Sequence, residues 1–192
     1  MTARRNKLFR TGAWSAAIIA EQDVPALQEL FEQSQEYFEL EFGLPPGPSE
    51  AHSTFIALPE GKHYEDKLLI GLFEADDILA GVLDVIRDYP AAGEWSIGLM
   101  LLHPSRRRQG VGSEVFSAFE KWAASQGARR IRIGVLEHNQ QALRFFQRVG
   151  FDIIEKQPPK KFGVKESGVV VMQRILSPPR ANMTCPPFLV QS

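Results

Sequence analysis

A single cysteine, Cys185, is all that the 192-residue chain carries. No intrachain disulfide framework can be built from it. Long apolar runs are missing too, and none approaches the ~18 residues of a membrane span. Nor does one sign of charge dominate: 22 Lys and Arg stand against 23 Asp and Glu, for a formal net charge of −1. That balance excludes a surface built throughout for nucleic acid or anionic membrane. Histidines are few, and His52, His63 and His138 show no metal-ligand spacing, so no metal is expected. There is no internal repeat and no break suggesting a second domain. One domain is expected over residues 1–176, large enough to bury a real core. Residues 177–192 carry four prolines and no periodicity, and read as a flexible tail. "ARRNKLFR" followed by "AWSAAIIA" loosely mimics a signal peptide, but the apolar part is minimal, carries Trp14 and Ser15, and runs into a helix start. It reads as a strand, and a cytoplasmic protein is expected.

What is present alternates between strand and helix signals. Residues 13–20 suggest a first strand. Asp23 and Pro25 mark a helix start, followed by Leu27, Leu30, Phe31, Ser34 and Phe38 at helical spacing. Residues 43–66 are polar and rich in Gly and Pro, and read as a loop or a short broken helix. Strands are expected at 67–75, 81–89 and 94–102, the last mostly apolar and therefore central. Val111, Val115, Phe116, Phe119, Trp122 and Ala123 share a helical face that Gly127 closes. A strand at 129–137, a helix capped by Asn139 and ended by Gly150, and two final strands complete the order β-α-(α)-β-β-β-α-β-α-β-β.

The stretch "HPSRRRQGVGSE" sets three arginines directly before two glycines at the start of a helix. Unpaired N–H groups and the positive end of the helix dipole meet there, which makes an anion site. Gly110 and Gly112 let a ligand approach the main chain, and Arg107 and Arg108 can add bidentate bonds to phosphate. The nucleotide-triphosphate loop is excluded because no Lys-Ser or Lys-Thr pair follows the glycines. The dinucleotide fingerprint fails because Val115 stands at its third glycine. What remains is R-x-x-G-x-G.

"LMLLHPSRRRQGVG" resembles the GNAT superfamily of acyl-CoA-dependent N-acetyltransferases, where a strand and a His/Asp-Pro element lead into (Q/R)-x-x-G-x-(G/A). A second family element, N-x-x-A-x-x-x-Y-x-x-x-G-F, is matched by Asn139, Ala142, Phe146, Gly150 and Phe151, with Phe in place of Tyr. The resemblance covers roughly 13–176 and is strongest over 94–155. It implies an α/β single domain, with a mixed, mostly antiparallel sheet flanked by helices, and acetyl-CoA as co-substrate. It further implies that the backbones of Met100, Leu101 and Leu102 pair with the pantetheine arm. Amides of Arg108, Gln109, Gly110, Val111, Gly112 and Ser113 would hold the pyrophosphate beside Arg107, and Asn139 and Phe146 would line the cofactor.

Acetyl transfer needs a neutral amine, and a lysine-like amine has pKa ~10.4, so a base is useful. Asp84 and Glu94 are the candidate bases. A strand amide near Leu101 or Leu102 can meet the developing oxyanion. Phe146 cannot protonate the leaving sulfur as the family's Tyr does. A thiol has pKa ~8.5, so its thiolate leaves tolerably, and Tyr37, Tyr89 or water can substitute on the acceptor side. The expected partner is a small-molecule amine, with a homodimer also expected. Two other readings stay open: an acyl-CoA-binding regulatory domain, prompted by Phe146, and a nucleic-acid protein, disfavoured by the charge balance and the lack of aromatic interleaving.

Overall fold

The computed structural model describes residues 6–177. The tail expected from 177 onward, with Cys185, therefore lies outside the described residues apart from Ser177. A hairpin opens the fold, β1 (Lys7–Thr11) and β2 (Trp14–Ile18). Three helices follow: α1 (Val24–Glu32), α2 (Gln35–Phe42) and α3 (Glu50–Ile56). Then come β3 (Lys67–Phe73), β4 (Leu79–Ile86), β5 (Glu94–Leu102), α4 (Val111–Ser125), β6 (Arg130–Leu136), α5 (Gln140–Arg148), β7 (Asp152–Phe162) and β8 (Lys165–Ile175).

One strand is added to the sequence reading, and of the two alternatives for 43–66 the short helix is present. β1 is an added strand whose Phe9 packs on Phe119 and Trp122 of α4. The 43–66 segment forms α3, held to α1 because the Ala51 amide donates to Gln28 Oε1 at 3.0 Å.

The strands form one sheet in the order β1-β2-β3-β4-β5-β6-β8-β7, antiparallel except for β5 against β6. A parallel neighbour requires a crossover, and α4 supplies it. Each face of the sheet is covered. Val115, Phe116, Phe119, Phe146 and Phe151 pack with Leu83, Ile97 and Ile133 on the α4–α5 face. Leu27, Leu30, Phe31, Phe38 and Ala51 pack with Leu69, Val82 and Leu101 on the α1–α3 face. Burial of these apolar side chains, at ~25 cal/mol per Å2, is the main force holding the layers together.

Candidate active site

The central feature is a fork in the sheet. β5 and β6 pair only from Glu94↔Arg130 to Ile97↔Ile133. Beyond that point β5 runs on to Leu102 with β4 as its only partner among the described residues, while β6 stays with β8. Gly98 and Gly134, the first residues past the last pair, are exposed although both strands are central.

A bulge at the apex sets what lines the fork. Asp84 is opposite Leu99 and Val85 opposite Ile97, so Gly98 is the extra residue. Trp95 and Ile97 therefore face α4–α5 before the bulge, and Met100 and Leu102 after it, while Leu99 and Leu101 turn to the α1–α3 face.

Backbone parity decides which groups are open. The His103 amide donates to the Ala80 carbonyl at 2.9 Å. Counting back by twos along an antiparallel ladder, Leu101 bonds toward β4, and Met100 and Leu102 direct N–H and C=O toward the fork. Leu101, the middle residue of the expected trio, directs its backbone groups to β4. The Leu102 carbonyl accepts from Arg107 Nε at 2.7 Å, which leaves its amide.

At the wide end of the fork stands the start of α4. Gly110 is its N-cap, with φ +84°, and Arg108 also has positive φ, +60°. No Cβ neighbour lies within 4 Å of Gly110, so its surroundings are open, whereas a Cβ on Gly112 would come within 3.2 Å of Phe145. Gly110 therefore serves the turn, and Gly112 the close approach of α4 to α5. Gln109, Val111 and Ser113 complete this turn. Gln109 Nε2 donates to the Ser105 carbonyl at 2.8 Å.

The arginines divide their roles. Arg107 donates to Leu102 O, to Ser34 Oγ at 3.0 Å and to Glu36. Its guanidinium is thus engaged on the α1–α2 side. Arg106 pairs with Glu74, and His103 bonds Gln33 at 2.7 Å. Arg108 is exposed and makes no side-chain bond among the described residues.

The two candidate bases separate. Asp84 lies at the apex, with Oδ2 3.5 Å from where a Cβ on Gly98 would be. Lys67 Nζ reaches both its oxygens, at 2.8 and 2.9 Å. Burial raises its carboxyl above the ordinary range, and Lys67 only partly offsets this. Glu94 is four residues back along the zipped part of β5, about 13 Å by strand rise, and is paired with Arg130 at 3.0 Å.

Phe146 is buried between Phe145 and Phe151, with ring centroids 5.0 and 5.2 Å away. Tyr37 packs edge-on against Phe38 over the α1–α3 face. Its phenol is pushed above its ordinary value by burial, then by the charges of Glu41 and Glu50, so it stays protonated. Tyr89 sits in the β4–β5 turn, its amide donating to Glu94 O at 2.7 Å, beyond the zipped end. The Asn139 side chain is internally engaged. Its Oδ1 accepts from the Ala142 amide at 3.0 Å, capping α5, and its Nδ2 donates to Glu41. Glu41, missed in the sequence, is the surprise: a carboxylate only 9% exposed. Its place on the helix matched no motif; only its burial singles it out.

A sheet forked between parallel strands, with a glycine-started helix at its mouth, defines a fold class shared with known enzymes. Residues 27–151 match the model of the acetyltransferase (GNAT) family. The chain belongs to that family, whose members use acetyl-CoA. No curated protein matches the sequence. Among solved structures, an acetyltransferase from Thermus thermophilus is 24% identical, with TM-score 0.69, over 86% of this chain and 99% of that one. A GCN5-related N-acetyltransferase from Brucella melitensis is 18% identical, with TM-score 0.71, over 91% and 80%. A spermidine N-acetyltransferase from Vibrio cholerae, in complex with CoA and spermine, is 12% identical, with TM-score 0.68, over 85% and 96%. At these identities the likeness concerns the fold.

Proposed function

We propose that the protein transfers an acetyl group from acetyl-CoA to the primary amine of a small molecule by direct attack in a ternary complex. The observation that carries this reading is the fork, with its exposed glycine backbone and a helix N-terminus at its wide end. The fit to the co-substrate is chemical. The free edge of β5 offers amides at Met100 and Leu102 to an amide-bearing pantetheine arm. The turn from Arg108 to Ser113, with the dipole of the 15-residue α4, suits a pyrophosphate. Arg108 supplies an unpaired positive charge beside it. Phe146 and Ala142 contribute an apolar wall, and Asn139 fixes the start of α5.

Acetyl-CoA supplies the acetyl group as a thioester, whose C–S bond breaks as the amine nitrogen bonds to its carbonyl carbon. Asp84, at the apex, takes the proton the amine gives up. Its raised carboxyl brings it closer to the amine in proton affinity than an ordinary aspartate. The Leu102 amide faces the carbonyl oxygen as negative charge grows there. Tyr37 offers an acceptor-side hydroxyl on the α1–α3 face that can donate a hydrogen bond. The acceptor's proton ends on the released thiol, so the products are an amide and coenzyme A.

Calorimetric titration with acetyl-CoA and coenzyme A tests binding, and free-thiol release across an amine panel tests transfer. Binding without transfer to any amine would favour an acyl-CoA-binding regulatory domain, the reading that Phe146 supports. Absence of binding at millimolar concentration would end both readings.

A further inference from the structure

Nine acidic residues and neither lysine nor arginine occur between Thr11 and Gly61. Most of these carboxylates, such as Glu29, Glu32, Glu36 and Glu39, are exposed and need no explanation beyond solvation. Glu41 differs. It is nine-tenths buried, yet no lysine or arginine pairs with it among the described residues. Buried carboxylates are rarely left without a cation.

The nearby cations are turned elsewhere. Lys165 Nζ donates to the Leu40 carbonyl at 2.9 Å, and His138 Nε2 lies 2.7 Å from the same oxygen. Among the described residues only the neutral amide of Asn139 bonds the Glu41 carboxylate, through Oε1. Oε2 makes no bond among the described residues and is not sealed from solvent. Burial raises the carboxyl despite Asn139, His138 and Lys165.

Its place in the fold matters. Asn139 follows the free end of β6, so Glu41 stands over the β6 wall of the fork on the α1–α3 face. The β7–β8 hairpin closes the corner, with the Val164 amide on the Phe42 carbonyl at 2.9 Å. Tyr37, one helical turn before Glu41, presents an aromatic ring, and Glu50 lies close enough to act on the same phenol.

We propose that Glu41 is a specificity-determining residue whose open oxygen seats an ammonium group of the acceptor, so that the acceptor class is a diamine or polyamine. This rests on the acetyltransferase reading. The nitrogen that attacks must be neutral, so the charge Glu41 holds belongs to a second nitrogen of the same molecule. Asn139 positions the carboxylate, and a Tyr37 face nearby suits an organic cation.

The test titrates 1,4-diaminobutane, with butylamine as the single-charge control, into the full chain with and without coenzyme A. Variants are Glu41→Gln, which keeps the acceptor for Asn139 and loses the charge, Glu41→Asp, which keeps the charge and shortens the reach, and Glu36→Gln as an exposed control. The diamine should bind the wild type, bind Glu41→Gln at least about tenfold more weakly, and bind Glu36→Gln as the wild type. Glu41→Asp should fall between, and it carries the test if Glu41→Gln does not fold. Coenzyme A affinity should be the same in all. Equal diamine affinity in wild type and Glu41→Gln, or a wild type that does not prefer the diamine to butylamine, overturns the proposal. Failure of coenzyme A to bind would instead overturn the acetyl-CoA reading, and the titrations without it would still decide the role of Glu41.

Discussion

Arg107 and Arg108 are adjacent and alike in sequence, yet their environments predict opposite phenotypes. Arg107→Ala leaves the Leu102 carbonyl and the fully buried Ser34 hydroxyl without a partner. Such a loss costs about 1–3 kcal/mol, and differential scanning calorimetry should record a melting temperature lower by roughly 2–4 °C per kcal/mol. Arg108→Ala should leave melting unchanged and weaken coenzyme A, read by titration. Glu41 gives a pH signature. Its folded carboxyl titrates above its unfolded value, so ionisation opposes folding as pH rises through that interval. Glu41→Gln is free of that penalty. The melting temperature of the variant relative to wild type should therefore be more favourable at about pH 7.5 than at about pH 4.5. A constant difference across that range would show that burial does not control this carboxyl. Phe146→Tyr adds a hydroxyl to a buried ring packed against Phe145 and Phe151. Turnover should rise no more than about tenfold, a modest part of the ~10²–10⁴-fold worth of acid help, because a thiolate leaves fairly well unaided.

Elements were more legible than their partners. The glycine–arginine turn and the capped helix at Asn139 could be read directly, because both rest on local chemistry: positive φ, a side-chain cap and helical spacing. The break between α1 and α2 could not, since Leu27, Leu30, Phe31, Ser34 and Phe38 keep one period straight through it. At that break Ser34 accepts a tertiary bond from Arg107. Ala80, Val82 and Asp84 alternate along β4 and would share one face of a regular strand, but Ala80 and Val82 serve opposite faces because of a register shift in the β3–β4 pair. Glu41 and Lys67 depend on elements far apart in the chain, which no local pattern encodes. At the element scale Gly112 is the decisive residue. Gly112→Val would drive a side chain into Phe145 and part α4 from α5. Coenzyme A affinity should fall strongly while circular dichroism still reports a folded protein. Unchanged affinity in a folded variant would remove this helix pair from the binding site.

For the molecule as a whole, a ligand that binds only the folded state raises stability by mass action. Coenzyme A at 100 times its Kd should add ~2.7 kcal/mol, or about 5–10 °C in melting temperature for a chain of this size. The fork gives that gain a mechanical side. β1 to β5 form one ribbon and β6 to β8 another, and among the described residues strand pairing joins the ribbons only from Glu94↔Arg130 to Ile97↔Ile133. Such a sheet is a pair of tweezers with its pivot at the zipped end, and a small rotation there becomes a larger displacement at the tips near Leu102 and Leu136. An occupant of the gap acts as a splint between the arms. Slow hydrogen exchange at the Met100 and Leu102 amides should appear only when the splint is in place, and the pivot amides around Trp95 should stay protected throughout.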